Sequence, residues 1–212
     1  MGRIDAVRGE SRAPMPSPIG HALAACAVYQ GMAGATLAPR SWRTLLSYCV
    51  AAGAPDFDFL PGFFLGEPNR FHQGVSHSLG MALLFGAGIA FLSWWMRGRI
   101  AWRFVLVLFS LYCSHLLFDY LAVDTGSPLG IPVWWPLSRQ HYLSPLAVFF
   151  DINRGSSIEG FFAGVFIPHN FWAVVLEIAI FLPLIGLAMV VRRWHEWRLT
   201  LVRTAHSQNL RN

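Results

Sequence analysis

An all-α fold, a polytopic bundle of about four to five membrane-inserted helices, is what this chain predicts from its composition, its apolar runs and the placement of its charges. Of its 212 residues, 55% are hydrophobic and 13% charged, with a mean hydropathy of +0.46. A soluble domain carries about 25% charged residues, so lipid is the solvent for much of this surface. Residues 77–96 (HSLGMALLFGAGIAFLSWWM) and 101–123 (AWRFVLVLFSLYCSHLLFDYLAV) are each long enough to cross a hydrocarbon layer about 30 Å thick. All 16 basic side chains are Arg, and half of them gather at the ends of apolar runs.

Taken in order, residues 1–17 are polar and proline-bearing and predict a loose N-terminal arm. Residues 18–38 predict a moderately apolar helix, and 41–54 a second one that is short for a full crossing. The two strong spans follow. Residues 124–169 form a Gly/Pro/Trp-rich connection in which Trp134 and Trp135 suit the aromatic belt at a membrane interface. A last span covers 170–191, with Pro183 a place for a kink, and 192–212 form a basic cytoplasmic tail. Residues 18–191 thus predict a single helical membrane domain. Alternating the spans puts Arg40, Arg43, Arg97, Arg99, Arg103, Arg192, Arg193 and Arg198 on one side, which the positive-inside rule assigns to the cytoplasm. The opposite side receives Asp56, Asp58, Glu67, Asp119, Asp124, Asp151 and Glu159.

The same alternation brings His21, Asp56, Asp58, His72, His77, His115 and Asp119 to the non-cytoplasmic end, although they are scattered over about a hundred residues. His115 and Asp119 are four apart on a helix and share a face, with Tyr112 one turn before. In "APDFDFL", Pro55 predicts an extended piece on which Asp56 and Asp58 point the same way. On a continuous helix His72 and His77 could not face one centre, and Gly74 offers a break between them. An ionised Asp near the bilayer centre costs on the order of 3 kcal/mol, and neighbouring carboxylates repel. A divalent metal at the non-cytoplasmic end removes both objections. The mixed His/Asp set suits zinc, as one or two ions, with manganese or iron as alternatives. The candidate ligands are His21, Asp56, His72, His77, His115 and Asp119, with His72, His77 or both taking part.

The stretches "SPIGHALAA", "APDFDFLP", "FHQGVSHSL", "SHLLFDYL" and "GIPVWWPLS", in that order across residues 17–145, resemble the YdjM/YbcI-type bacterial inner-membrane proteins. These are described as membrane-bound metal-dependent hydrolases. Their His-Arg-Gly-x-Thr-His-Ser motif is matched by "HQGVSHS", with Gln73 and Ser76 as departures. A more distant likeness, in ligand order, is to zinc phospholipase C and the S1/P1 nucleases, which hydrolyse phosphate esters. Mapped by that order, His21, Asp56, His72 or His77, His115 and Asp119 account for about two metals, and His141 lies in the region of a further ligand. The likeness implies two-metal hydrolysis of a phosphate ester. Asp56 is then a bridging ligand or general base, and Asp119 a second bridging carboxylate. Asp58 and Tyr112 would orient histidines, and Arg70 and Arg139 would hold phosphate oxygens. A site at the outer interface suits a substrate carried by a membrane lipid, such as a phospholipid or polyprenyl phosphate.

Other chemistries fit less well. The net charge of +5 would suit nucleic acid, but the Arg residues sit where membrane topology already places them, so no nucleic-acid partner is expected. Cys26, Cys49 and Cys113 lie in apolar segments without Cys-x-x-Cys spacing and read as small hydrophobes. A transporter would distribute its ionisable groups through the bilayer, whereas Glu177 is the one carboxylate well inside a span. A metal-binding membrane protein without catalysis is the remaining alternative.

Overall fold

The computed structural model describes residues 15–32, 41–124, 128–164 and 166–209, with side chains to Leu201. Most of the N-terminal arm, residues 33–38 of the first expected helix, and Arg40 lie outside the described residues. Seven α-helices are described: α1 (Pro18–Met32), α2 (Trp42–Ala52), α3 (Phe59–Phe64), α4 (Leu79–Arg97), α5 (Trp102–Tyr120), α6 (Ile158–Gly164) and α7 (Pro168–Asn209). No strand occurs among the described residues beyond two isolated bridges, Ala122 with Phe149 and Ile131 with Tyr142. The protein is therefore all-α.

Local chemistry explains the helix boundaries. Ser41 and Ser78 cap α2 and α4, each side chain accepting a hydrogen bond from the backbone N–H three residues on (3.2 Å in both). Gly98 ends α4 in the left-handed conformation at φ 66°, its N–H donating to the Trp94 carbonyl. The cap at Ser78 leaves His77 just outside the helix, where the sequence had placed it as the first residue of the span. At the far end α7 runs on past residue 191 into the tail expected to be merely polar. Arg192 and Glu196 face each other at 3.7 Å and the Arg198 guanidinium lies over Trp194 at 4.8 Å, so spacing of one helical turn supports the extension.

Helices α4, α5 and α7 are long and apolar enough to cross a membrane; α1 and α2 are shorter. Leu83, Leu84 and Phe91 on α4 and Leu182, Leu187 and Val190 on α7 are exposed, an apolar surface suited to lipid. Helix α5 lies at the centre of the bundle. It packs on α1 and α2 through Ala25, Tyr48, Ala51, Ala52 and Leu108, and on α4 through Ala82 and Tyr112. The alanines permit close approach of the backbones. Helices α1 and α7 run side by side in the same direction, with Ser17 bonded to Glu177 at one end and Gln30 to Arg192 at the other.

Residues 15–17, expected in the loose arm, are buried: Ser17 N–H donates to Glu177 Oε1 (2.6 Å) and its hydroxyl donates to Oε2. Packing against α7 overrides their polar, proline-rich composition. The connection between α5 and α7 is likewise seated. The carbonyls of Val133 and Trp135 accept from Leu79 and Gly80, the first amides of α4, so this segment completes the helix start. Gly130, at φ +82°, brings its backbone so close that a Cβ would stand 2.2 Å from the Tyr142 carbonyl oxygen. Gly130→Ala is expected to lower stability in detergent by at least about 1–3 kcal/mol, read as a lower thermal midpoint; an unchanged midpoint would show that the 130–142 pairing is dispensable.

Candidate metal centre

Four elements deliver the polar cluster: the first turn of α1 (His21), the turn after α2 (Asp56, Asp58), the loop before α4 (His72, His77) and the last turns of α5 (His115, Asp119). The turn after α2 is not the extended piece expected. Ala54–Asp58 form a 3-10 helix, with Asp56 N–H donating to the Gly53 carbonyl (3.2 Å). Proline restricts the residue before it but is well suited to a first helical turn, where its missing N–H is not needed. Asp56 and Asp58 still both reach the cluster. Before α4 the chain breaks at Gln73, which has φ 56°, and at Gly74, where a Cβ would lie 2.8 Å from the Phe71 carbonyl oxygen. The break lets His72 and His77 meet, their rings edge-to-face with centroids 4.9 Å apart.

The contacts of Nδ1 decide which ring nitrogen of each histidine carries the hydrogen. Asp58 spans two histidines, with Oδ1 3.0 Å from His72 Nδ1 and Oδ2 3.2 Å from His77 Nδ1, and Oδ2 accepts from the Ser76 hydroxyl at 2.6 Å. His115 Nδ1 lies 2.7 Å from the Ala52 carbonyl oxygen. Carboxylate and carbonyl oxygens only accept, so the three Nδ1 atoms carry hydrogens, and in the neutral rings the three Nε2 atoms keep lone pairs. Tyr112 donates to the Ser76 carbonyl (2.6 Å), holding the loop that carries His77.

Inside this frame the distances are short. His77 Nε2 and His115 Nε2 are 3.3 Å apart, and both approach Asp119 Oδ2, at 3.1 and 3.3 Å. Asp56 Oδ1 lies 3.5 Å from His115 Nε2, 3.7 Å from His77 Nε2 and 3.9 Å from His72 Nδ1. The His21 ring stacks on His115 at 3.7 Å, with Nε2 3.6 Å from Asp119 Oδ1. His21, His77, His115 and Asp119 are each 2% exposed or less.

Burial by itself would raise both carboxyls of the turn, but His115, with His77 and His72, holds Asp56 well below the usual carboxylate range, and hydrogen bonds to His72 and His77 hold Asp58 low. Burial likewise opposes charge on the histidines. It prevails at His72, which stays below the ordinary histidine value despite Asp58. At His77, contacts to Asp119, Asp56 and Asp58 lift the ring well above it. The centre therefore favours a cation, and a proton and a metal ion would compete for the same Nε2.

Several buried atoms of the cluster have no hydrogen-bond partner: both His21 nitrogens, Asp56 Oδ1, His72 Nε2 and both Asp119 oxygens. Such atoms are costly unless they are satisfied, and all are metal-ligating types. Three overlapping groups could hold a metal ion, His21/Asp56/His115, Asp56/His72/His77 and His77/His115/Asp119, with ligand atoms in each within 4.8 Å of one another. The donor set fits a divalent metal.

Other residues singled out from the sequence stand elsewhere. Arg70 is exposed and paired with Glu67 at 3.3 Å. Arg139 is exposed and His141 half-buried, and neither bonds to the cluster among the described residues. Cys26, Cys49 and Cys113 are free and half-buried. Two residues had no place assigned at the site. Glu177 anchors the start of α1, and with it His21; a Cβ on Gly20 would meet its carboxyl carbon at 2.8 Å. Arg154 is buried over the ring of Phe59, which stacks on His72 of the cluster. Its signal was available, as an Arg in the connection that span alternation assigns to the end where basic residues are scarce.

No curated protein and no solved structure matches the chain. The family model described as YdjM inner membrane protein matches residues 15–195, which takes in α1 to α6, α7 as far as residue 195 and every member of the His/Asp cluster, and the chain belongs to that family.

Proposed function

We propose that the chain is a membrane-bound metal-dependent hydrolase of phosphate esters carried by lipids, with two divalent ions, zinc foremost, held by His21, Asp56, His72, His77, His115 and Asp119. The observation that carries this is the convergence of imidazole lone pairs and unpartnered carboxylate oxygens in one buried cluster. Divalent metals there would lower the pKa of water toward neutrality and supply Lewis acidity at phosphorus.

The chain's own residues have distinct parts. Asp56 belongs to two of the three candidate groups and suits a bridging ligand or the base that accepts a proton from the attacking water. Asp119 presents both oxygens to histidines, from His21 on one side and His77 and His115 on the other, and suits a second bridge. Asp58 keeps His72 and His77 in the tautomer a ligand needs. Helix direction puts Arg43, Arg97, Arg103 and Arg192 at the end of the bundle opposite the cluster, which supports a site facing the periplasm and a cytoplasmic C-terminus. Exposed Phe57, Leu60 and Phe64 next to the cluster's turn suit contact with lipid.

The test is phosphate release by the metal-loaded protein in mild detergent from a phosphatidate, a polyprenyl phosphate and a soluble phosphate monoester. Release that stops with a chelator and returns with zinc is expected for at least one of them. Bound metal with no release from any would leave a metal-binding membrane protein without this activity.

A further inference from the structure

Among the described residues, Arg154 is buried at 7% exposure and has no carboxylate within ion-pair distance. Its guanidinium lies over the rings of Phe59 at 5.1 Å and Phe161 at 5.2 Å, and its hydrogen bond runs from Nη1 to the Met15 sulfur. Phe59 in turn stacks on His72 at 4.0 Å, so a single aromatic ring links the guanidinium to a member of the metal cluster. The backbone around it is pinned. Ile152 N–H donates to the Met15 carbonyl (3.1 Å), and Asn170 holds Asn153 through bonds of 2.8 Å in both directions.

A guanidinium in such a place is expensive unless an anion shares it. The aromatic faces offset part of the cost and fix the orientation, yet a thioether sulfur is a weak acceptor for one of five donors. Asp56, Asp119, Glu177 and Asp58 act on Arg154 through space, but two divalent ions would balance those four carboxylates. Arg154 is then surplus positive charge beside the ions.

We propose that Arg154 is the substrate-binding residue for a tetrahedral phosphate oxyanion, its free N–H donors gripping phosphate oxygens while the ester lies against the metal cluster. This rests on the hydrolase proposed above and names the group that selects its substrate. Arg70 and Arg139, the candidates from sequence, are exposed instead. A planar fork held between aromatic rings is suited to two oxygens of one phosphate.

The experiment titrates inorganic phosphate and, separately, a short-chain phosphatidate below its micellar concentration into the purified, metal-loaded protein, with Arg154→Gln and Arg154→Lys beside it. Metal per chain and thermal midpoint are measured on each. Arg154→Gln is expected to keep its metal and bind phosphate at least about tenfold more weakly, with Arg154→Lys between the two. Tighter binding of the phosphatidate assigns the phosphate to a lipid, and equal binding to a free phosphate; both uphold the site. Unchanged affinity in Arg154→Gln, no phosphate binding by the wild type, or loss of metal in Arg154→Gln overturns it, the last by making Arg154 a support of the cluster. Should the wild type hold no metal, the hydrolase falls on that result alone. The phosphate titration of the same protein still decides Arg154: a tenfold loss sustains the site and no binding overturns it.

Discussion

Replacing His115 by alanine, or Asp119 by alanine, is expected to remove most of the bound metal, read as metal per chain by elemental analysis of protein purified in detergent. His115 belongs to two of the candidate groups and Asp119 approaches three of the four inner histidines. Removing the imidazole also leaves the Ala52 carbonyl without its donor and the His21 ring without its stacking partner. Metal content unchanged in both variants would place the metal elsewhere and sink the assignment. Protons would compete with a metal at this centre, because the surrounding carboxylates raise His77 well above the ordinary histidine value. A raised pKa means the proton is held more tightly as pH falls, so metal affinity is expected to rise with pH through that raised pKa and to weaken below it. Equilibrium dialysis over a pH series measures this.

Asp58→Ala is expected to weaken metal binding about ten- to a hundredfold without removing any proposed ligand. The Asp58 carboxylate holds Nδ1 of both His72 and His77, and without it each ring is free to turn and to move its hydrogen to Nε2, where it blocks a ligand's lone pair. Asp58→Asn offers one acceptor oxygen and one donor nitrogen, so it can satisfy one ring only and should fall between. Competition against a chromogenic chelator gives the affinities. Equal affinity in the alanine variant and the wild type would mean that the histidines are oriented by Ser76 and packing alone.

Much of the bundle was legible because its cause is local. Spans α4 and α5 follow from continuous apolar composition, and their boundaries from Ser78, Gly98 and the residues just beyond. The pairing of His115 with Asp119 follows from helical spacing. The polar cluster was legible for a different reason: alternation of the spans carried residues from four segments to one end before any contact was known. What misled was local preference judged without partners. Pro55 favoured an extended strand on its own, but it sits in the first turn of a 3-10 helix once α2 ends at Gly53. Residues 15–17 looked loose until Glu177, 160 residues away from Ser17, supplied their acceptor.

The sequence by itself determined an all-α membrane chain and the chemical types that gather at one end, since solvent preference and charge placement depend on composition along the chain. Only the tertiary structure decided which atoms meet. The tautomers of His72, His77 and His115 depend on acceptors from other segments, and the burial of Arg154 depends on Met15, Phe59 and Phe161 closing around it. Contacts between distant segments obey packing and hydrogen-bond geometry, which no window of residues contains.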